Sequence, residues 1–140
     1  MTDSGLALAE RIEKHLRAGV LDAWFPRCID RQEGGFLADF RDDWTPVGPH
    51  DKTIVFQARM TWIAARVALS RPDLADAYRA YARHGIDCLV KRMWDRQQGG
   101  FFWGLDRSGN VVERYGTQKH AYGMAFGIYA LLPVPHPFHQ

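Results

Sequence analysis

Cysteine is nearly absent from this chain: its 140 residues hold only Cys28 and Cys88. Neither sits in a Cys-x-x-Cys pair or beside a histidine at ligand spacing, which excludes a sequence-readable metal site or dithiol motif. Both are expected to be free, buried thiols. Charge of one sign is missing too. Eighteen Lys plus Arg against sixteen Asp plus Glu leave a formal charge of +2, with both signs spread along the chain. That balance provides no footprint for nucleic acid or an anionic membrane, so neither is expected as a partner. No long apolar run occurs, and residues 1–21 carry charges throughout, so neither a signal peptide nor a membrane span is expected, and a cytoplasmic location fits. The thirteen glycines never form G-x-G-x-x-G or a P-loop. No cofactor and no metal are expected.

What is present is an ordinary globular composition, 46% apolar and 24% charged, on a chain the size of one modest domain. Its organising feature is a repeat. Asp30-Arg31-Gln32-Glu33-Gly34-Gly35-Phe36 returns 65 residues later as Asp95-Arg96-Gln97-Gln98-Gly99-Gly100-Phe101, identical at six of seven positions. After each copy comes a connector rich in aromatics and turn residues, and then a helix-like run opening with a lysine, Lys52 or Lys119, 67 residues apart.

Each repeat reads as helix, Gly-Gly loop, helix. Over residues 4–21, Leu6, Ala9, Ile12, Leu16 and Val20 share one face at helical spacing, so this helix is amphipathic. Its counterpart spans residues 72–94, with Ser70 as expected N-cap and Pro72 in the first turn. There Leu74, Tyr78, Tyr81, Cys88 and Leu89 line one side, and Asp76, Arg79, Arg83, Asp87 and Lys91 the other. The runs 52–69 and 119–132 differ in being apolar nearly all round, which marks helices buried on most sides. Alternation of the two kinds predicts an all-α fold in two layers, amphipathic helices outside and apolar ones inside. After each Gly-Gly pair a small β-hairpin is expected, the second turning at Asp106–Asn110. The Gly-Gly pairs themselves suit positive φ or close backbone approach.

The segments Gln57-Ala58-Arg59-Met60-Thr61-Trp62 and Lys119-His120-Ala121-Tyr122-Gly123-Met124-Ala125-Phe126-Gly127-Ile128-Tyr129-Ala130-Leu131, together with the Gly-Gly-Phe loops, resemble the N-acylglucosamine 2-epimerase and cellobiose 2-epimerase family. The resemblance covers about residues 5–132. It implies two helical hairpins of an (α/α)6 barrel, an α/α toroid, corresponding to the N-terminal third of a family member. Residues 1–132 then form a partial barrel domain, with repeat 1 over about 4–70 and repeat 2 over about 71–132. The stretch 133–140, with three prolines, reads as an aberrant tail on an interrupted gene. Implied activity is C2 epimerisation or aldose-ketose isomerisation through an enediolate, with a monosaccharide or disaccharide as ligand. The family's acid/base histidines come from later inner helices and have no counterpart here, so no catalytic residue is assigned and the chain is expected to be inactive alone. An alternative is a non-catalytic, self-associating or partner-binding α/α scaffold, motivated by an apolar inner face that two hairpins leave exposed. Barrel enzymes using paired carboxylates are disfavoured, since neither inner helix carries Asp or Glu.

By the same resemblance Arg59 falls on a substrate-binding arginine and Tyr122 on a pocket tyrosine. A guanidinium midway along an apolar helix needs a partner; a sugar oxygen would serve, and so would a neighbouring carboxylate in a purely scaffolding role. Tyr122 either donates to a sugar oxygen or packs as a buried aromatic. Lys52 and Lys119 are expected to hold loops in place, and His120 to be structural or outward-facing. Trp44 and Trp103 are the aromatic candidates for stacking on a sugar at the pocket rim.

Overall fold

The computed structural model describes residues 3–132. The expected Pro-rich tail, residues 133–140, lies outside the described residues. Helix α1 (Asp3–His15) runs on through a π-helical stretch, Leu16–Leu21, into a last short turn, α2 (Asp22–Trp24). The second outer helix, α4 (Ala75–Cys88), likewise widens into a π-helical end, Leu89–Met93. Between them lie strand β1 (Lys52–Thr53) and inner helix α3 (Ile54–Ser70). Strand β2 (Gly104–Leu105) and inner helix α5 (Ala121–Leu131) complete the order.

The two Gly-Gly loops fold alike. Asp30 N–H donates to the Gly35 carbonyl at 3.0 Å and Gly34 N–H to the Asp30 carbonyl at 2.9 Å; the matching bonds in the second copy, Asp95 to Gly100 and Gly99 to Asp95, are 2.8 and 2.9 Å. All four glycines have φ between 69° and 80°, the left-handed region that a side chain resists. At Gly35 a Cβ would also lie 2.6 Å from Gln57 Oε1 and 2.7 Å from Cys88 Sγ, so space as well as conformation demands glycine there.

Three expectations are corrected. Ser70 does not cap the second outer helix: it is the last residue of α3, and its hydroxyl donates back to the Arg66 carbonyl at 2.7 Å. Pro72 forces Arg71 into an extended conformation (φ −129°, ψ 91°), which ends α3 and delays α4 to Ala75. Second, neither lysine opens an inner helix; Lys52 lies in β1 and Lys119 in the loop before α5. Third, the hairpin expected after the first Gly-Gly loop shrinks to a single antiparallel bridge, Phe40 with Pro46, while after the second the Asp106–Asn110 turn forms, Asp106 N–H donating to the Asn110 carbonyl at 3.0 Å; the bridges Ile29 with Phe36 and Trp94 with Phe101 close the Gly-Gly loops themselves. The two-stranded pairing instead joins the repeats, with Lys52 opposite Leu105 and Thr53 opposite Gly104.

Two apolar clusters flank α3. One gathers Phe25, Cys28, Phe36, Met60, Ala64 and Tyr78 between the first outer helix, α3 and α4. The other gathers Ile54, Ala58, Leu89, Met93, Phe101 and Ala130 between α3, the end of α4 and α5. Cys28 and Cys88 are buried within them as free thiols, and burial pushes their pKa up to about 12 and about 11. Burial on most sides therefore holds for α3 but not for α5, which leaves Tyr122, Ile128 and Tyr129 exposed. The apolar stripe of the first outer helix, Leu6, Ile12, Leu16 and Val20, is open to solvent as well. Both faces lack a packing partner among the described residues of a single chain. No helix among the described residues is long and apolar enough to cross a membrane.

Candidate functional site

Helices α3 and α5 approach closely because Gly123 gives way to Ile54: a Cβ on Gly123 would sit 2.6 Å from Ile54 Cγ2. Along their shared open side runs a groove of about 630 Å³ lined by Arg59, Trp62 and Ile63 from α3 and by Tyr122, Ala125, Phe126 and Tyr129 from α5. Arg59 and Tyr122, the two residues singled out from the sequence, are thus brought to one groove. Its walls pair residues that are counterparts in the repeat. Trp62 stacks on Tyr129, with centroids 4.9 Å apart and planes 21° from parallel. The Arg59 guanidinium lies 5.9 Å from the centre of the Phe126 ring, and Tyr122 meets Phe126 edge-on at 4.9 Å.

Arg59 is solvent-exposed, and none of the described carboxylates pairs with it. Its charge faces the groove above aromatic walls, so the arrangement offers a planar set of N–H donors beside apolar ring faces. Tyr122 is 61% exposed, which excludes a packed interior position for its ring in this chain. Arg66, about two helical turns further on, lies over the Trp62 ring at 5.8 Å.

Two acidic hubs tie the Gly-Gly loops to the residues just before α3 and α5. Lys52 Nζ donates to Asp30 Oδ2 at 2.8 Å with both side chains fully buried, and Lys119 Nζ donates to Asp95 Oδ2 at 2.5 Å. Each carboxylate also accepts two loop N–H groups, from Gln32 and Glu33 in one copy and Gln97 and Gln98 in the other. Asp30 takes a further pair from the second repeat, Arg107 Nε at 2.8 Å and an Arg107 terminal nitrogen at 3.0 Å. Burial by itself would raise the Asp30 pKa, but the bonds from Arg107, Lys52 and Glu33 N–H outweigh it and hold the carboxyl well below the usual range. Lys119 and the two loop N–H groups lower that of Asp95. The lysines thus fasten loops, as their placement in the sequence suggested.

The remaining candidates lie apart. His120 precedes the first turn of α5, exposed, its ring 4.5 Å from that of Trp103 and one nitrogen 3.3 Å from Gln118 Oε1. Trp103 is half-buried there, behind Gly123. Trp44 lines a second groove of about 600 Å³ with Trp24, Phe40 and Val47, under the Arg27 guanidinium at 5.5 Å. Sequence reasoning missed Trp62, Phe126 and Tyr129 as groove walls; the signal available was the 67-residue offset, which makes Trp62 the counterpart of Tyr129 and Arg59 that of Phe126. Among the described residues no group of three His, Cys, Asp or Glu could hold a metal ion.

A family model described as N-acylglucosamine 2-epimerase (GlcNAc 2-epimerase) matches residues 34–133. A D-mannose isomerase of Marinomonas mediterranea is 36% identical over 128 residues, 91% of this chain and 29% of the relative. A cellobiose 2-epimerase of Bacteroides fragilis is 28% identical over 126 residues, 89% of this chain and 30% of the relative. Among solved structures, a D-mannose isomerase superposes with a TM-score of 0.73 at 34% identity, covering 86% of this chain and 30% of that one. The cellobiose 2-epimerase of Spirochaeta thermophila gives 0.72 at 30% identity, covering 89% and 30%. The described helices therefore share the fold of the corresponding part of these α/α barrels, and the chain spans about 30% of the length of the relatives it matches.

Proposed function

This chain belongs to the N-acylglucosamine 2-epimerase family, and from that membership we propose that its α3–α5 groove is part of a sugar-binding pocket. The observation that carries this is Arg59, a guanidinium with no carboxylate partner among the described residues, set among Trp62, Phe126 and Tyr129. A pyranose presents hydroxyl oxygens at its edge and C–H groups on its faces, and the groove offers N–H donors for the first and aromatic rings for the second. Tyr122 adds a hydroxyl donor at the opposite wall. In the proposed role Arg59 holds a sugar oxygen next to the carbon whose proton is exchanged, and it would favour that oxygen's charge in an enediolate. The relatives named D-mannose isomerase and cellobiose 2-epimerase supply the substrate class.

Epimerisation or isomerisation needs a base near neutral pH within hydrogen-bond reach of a carbon-bound proton. No histidine, carboxylate or lysine is among the described residues lining the groove. We therefore assign binding without turnover to the 140-residue chain, read as two outer-inner helix pairs over about 4–70 and 71–132 of a larger toroid. Mannose, N-acetylglucosamine and cellobiose titrated into the labelled protein should shift the Trp62 indole and Tyr122 ring resonances, and Arg59→Ala should abolish those shifts. The same sugars incubated in deuterated water should keep their C2 protons. Absence of any shift would refute the pocket, and C2 deuteration would refute the lack of turnover.

A further inference from the structure

One turn is built twice in this chain, and only one copy has the glycine that such a turn calls for. In the second repeat Asp106 N–H donates to the Asn110 carbonyl and Gly109 N–H to the Asp106 carbonyl, both at 3.0 Å. In the first, Arg41 N–H donates to the Thr45 carbonyl at 3.0 Å and Trp44 N–H to the Arg41 carbonyl at 2.9 Å. Every partner corresponds at the 65-residue offset of the repeat. A turn of this kind closes on a residue with positive φ, ordinarily glycine. Gly109 meets that need with φ 91°, and in its place the first repeat has Trp44 at φ 65°. A side chain there crowds its Cβ against the following carbonyl, and the second copy shows that the turn forms without it. A strained tryptophan where glycine serves equally well marks a side chain with a use of its own.

The Trp44 ring is half-buried in the wall of the groove of about 600 Å³, meeting Trp24 edge-on at 5.5 Å and Phe40 at 5.6 Å. This groove shares no lining residue with the one between α3 and α5. Over the Trp44 ring stands Arg27, anchored by donating to the Asp22 and Ala23 carbonyls at 2.6 and 2.7 Å. Asp39, Arg41 and Asp42 also line the groove; all three are exposed, and none pairs with an opposite charge among the described residues. Two guanidinium groups against two carboxylates leave the site without net charge. A cation would meet Arg27 and Arg41, and an anion Asp39 and Asp42. A neutral ring bearing hydroxyls uses both signs: the carboxylates accept from its hydroxyls, the guanidinium groups donate to its oxygens, and the aromatic rings cover its C–H faces.

We propose that this groove is a second carbohydrate site, with Trp44 as its aromatic wall and a neutral pyranoside as its ligand. The proposal stands on the paired turns and on the charges around Trp44, and does not require the sugar reading of the α3–α5 groove. Trp62 reports on that groove and Trp24 and Trp44 on this one, so failure of either reading is seen separately.

Methyl pyranosides of mannose and glucose, whose rings cannot open, should be titrated into the isotopically labelled 140-residue protein. They should shift the Trp24 and Trp44 indole N–H resonances saturably. Trp44→Gly, which copies the second repeat into the first, should abolish the Trp24 shift while far-ultraviolet circular dichroism and any Trp62 shift stay as they are. If Trp44→Gly does not fold, Arg41→Ala combined with Asp42→Ala tests the same site, since these exposed side chains hold no other part of the chain; it should weaken binding about tenfold or more. Tetramethylammonium and inorganic phosphate, as cationic and anionic probes, should leave both indoles in place. The proposal is overturned by the absence of a saturable Trp24 and Trp44 shift with either pyranoside, by a Trp24 shift that survives in a folded Trp44→Gly protein, by unweakened binding in the Arg41 and Asp42 variant, or by a stronger response to either ion.

Discussion

The Gln57 carboxamide binds the backbone of Phe36 at both ends, its oxygen accepting the Phe36 N–H at 2.8 Å and its nitrogen donating to the Phe36 carbonyl at 2.8 Å. In this way α3 completes the hydrogen bonding of the buried Gly-Gly-Phe loop. The second repeat meets the same need differently: Met124, the counterpart of Gln57, accepts the Phe101 N–H on its sulfur at 3.2 Å. A thioether is a weak acceptor and has no donor to return.

Gln57→Met, which copies the second repeat into the first, should therefore destabilise the protein. It strands the buried Phe36 carbonyl and weakens the bond to its N–H, a loss of about 1–3 kcal/mol. Urea unfolding should show a lower midpoint at unchanged slope. An unchanged midpoint would mean that the loop does not depend on this side chain.

Lys52→Met removes one partner of a fully buried ion pair. Breaking such a pair costs about 3–5 kcal/mol when the other charge is left behind; Arg107 still reaches Asp30, so the low end of that range is expected. Arg107→Ala should cost less, on the order of 1–2 kcal/mol, since Lys52 remains and the Arg107 side chain is one-third exposed. The reverse order in denaturation would show that the repeats are fastened mainly from outside.

Asp30 and Asp95 both ionise more readily in the folded protein than in an unfolded chain. On acidification through about pH 4 the unfolded chain takes up protons that the folded protein refuses, so stability is full above that range and falls as pH drops below it. Melting temperatures between pH 7 and pH 3 should decline on the acid side, and Asp30→Asn should flatten the decline. Equal slopes for the two proteins would remove Asp30 from the account.

Two glycine substitutions should act in opposite directions. Gly19 has nothing within 4 Å of the position its Cβ would take, so Gly19→Ala should stabilise by about 0.5–1 kcal/mol through backbone entropy. Gly123→Ala drives a methyl into Ile54 and should destabilise by a net of about 1–2 kcal/mol, overpacking exceeding the gain in helix propensity. Thermal unfolding separates the signs, and stabilisation by Gly123→Ala would show that α3 and α5 have room to part.

Much of this architecture is legible in local pattern. The repeated Asp-Arg-Gln-x-Gly-Gly-Phe motif announces two equivalent loops, because a buried turn with successive positive φ values accepts little besides glycine at Gly34, Gly35, Gly99 and Gly100. All-round apolarity marks the inner helices, and Arg59, midway along one of them, marks the groove. The start of α4 was not legible from Ser70, since a serine bonds back to its own helix as readily as it caps the next.

By itself the sequence determined the elements, two loops of one kind with amphipathic and apolar helices alternating around them, and these follow from short-range rules of periodicity and backbone freedom. The pair Arg59 and Tyr122, which shares a groove, was picked out by the family resemblance. Only the tertiary structure decided how the repeats join, through β1 with β2 and through Arg107 with Asp30, and which apolar faces stay uncovered. Those relations depend on the distance between segments dozens of residues apart, which packing of α3 against both α4 and α5 sets and no local pattern encodes.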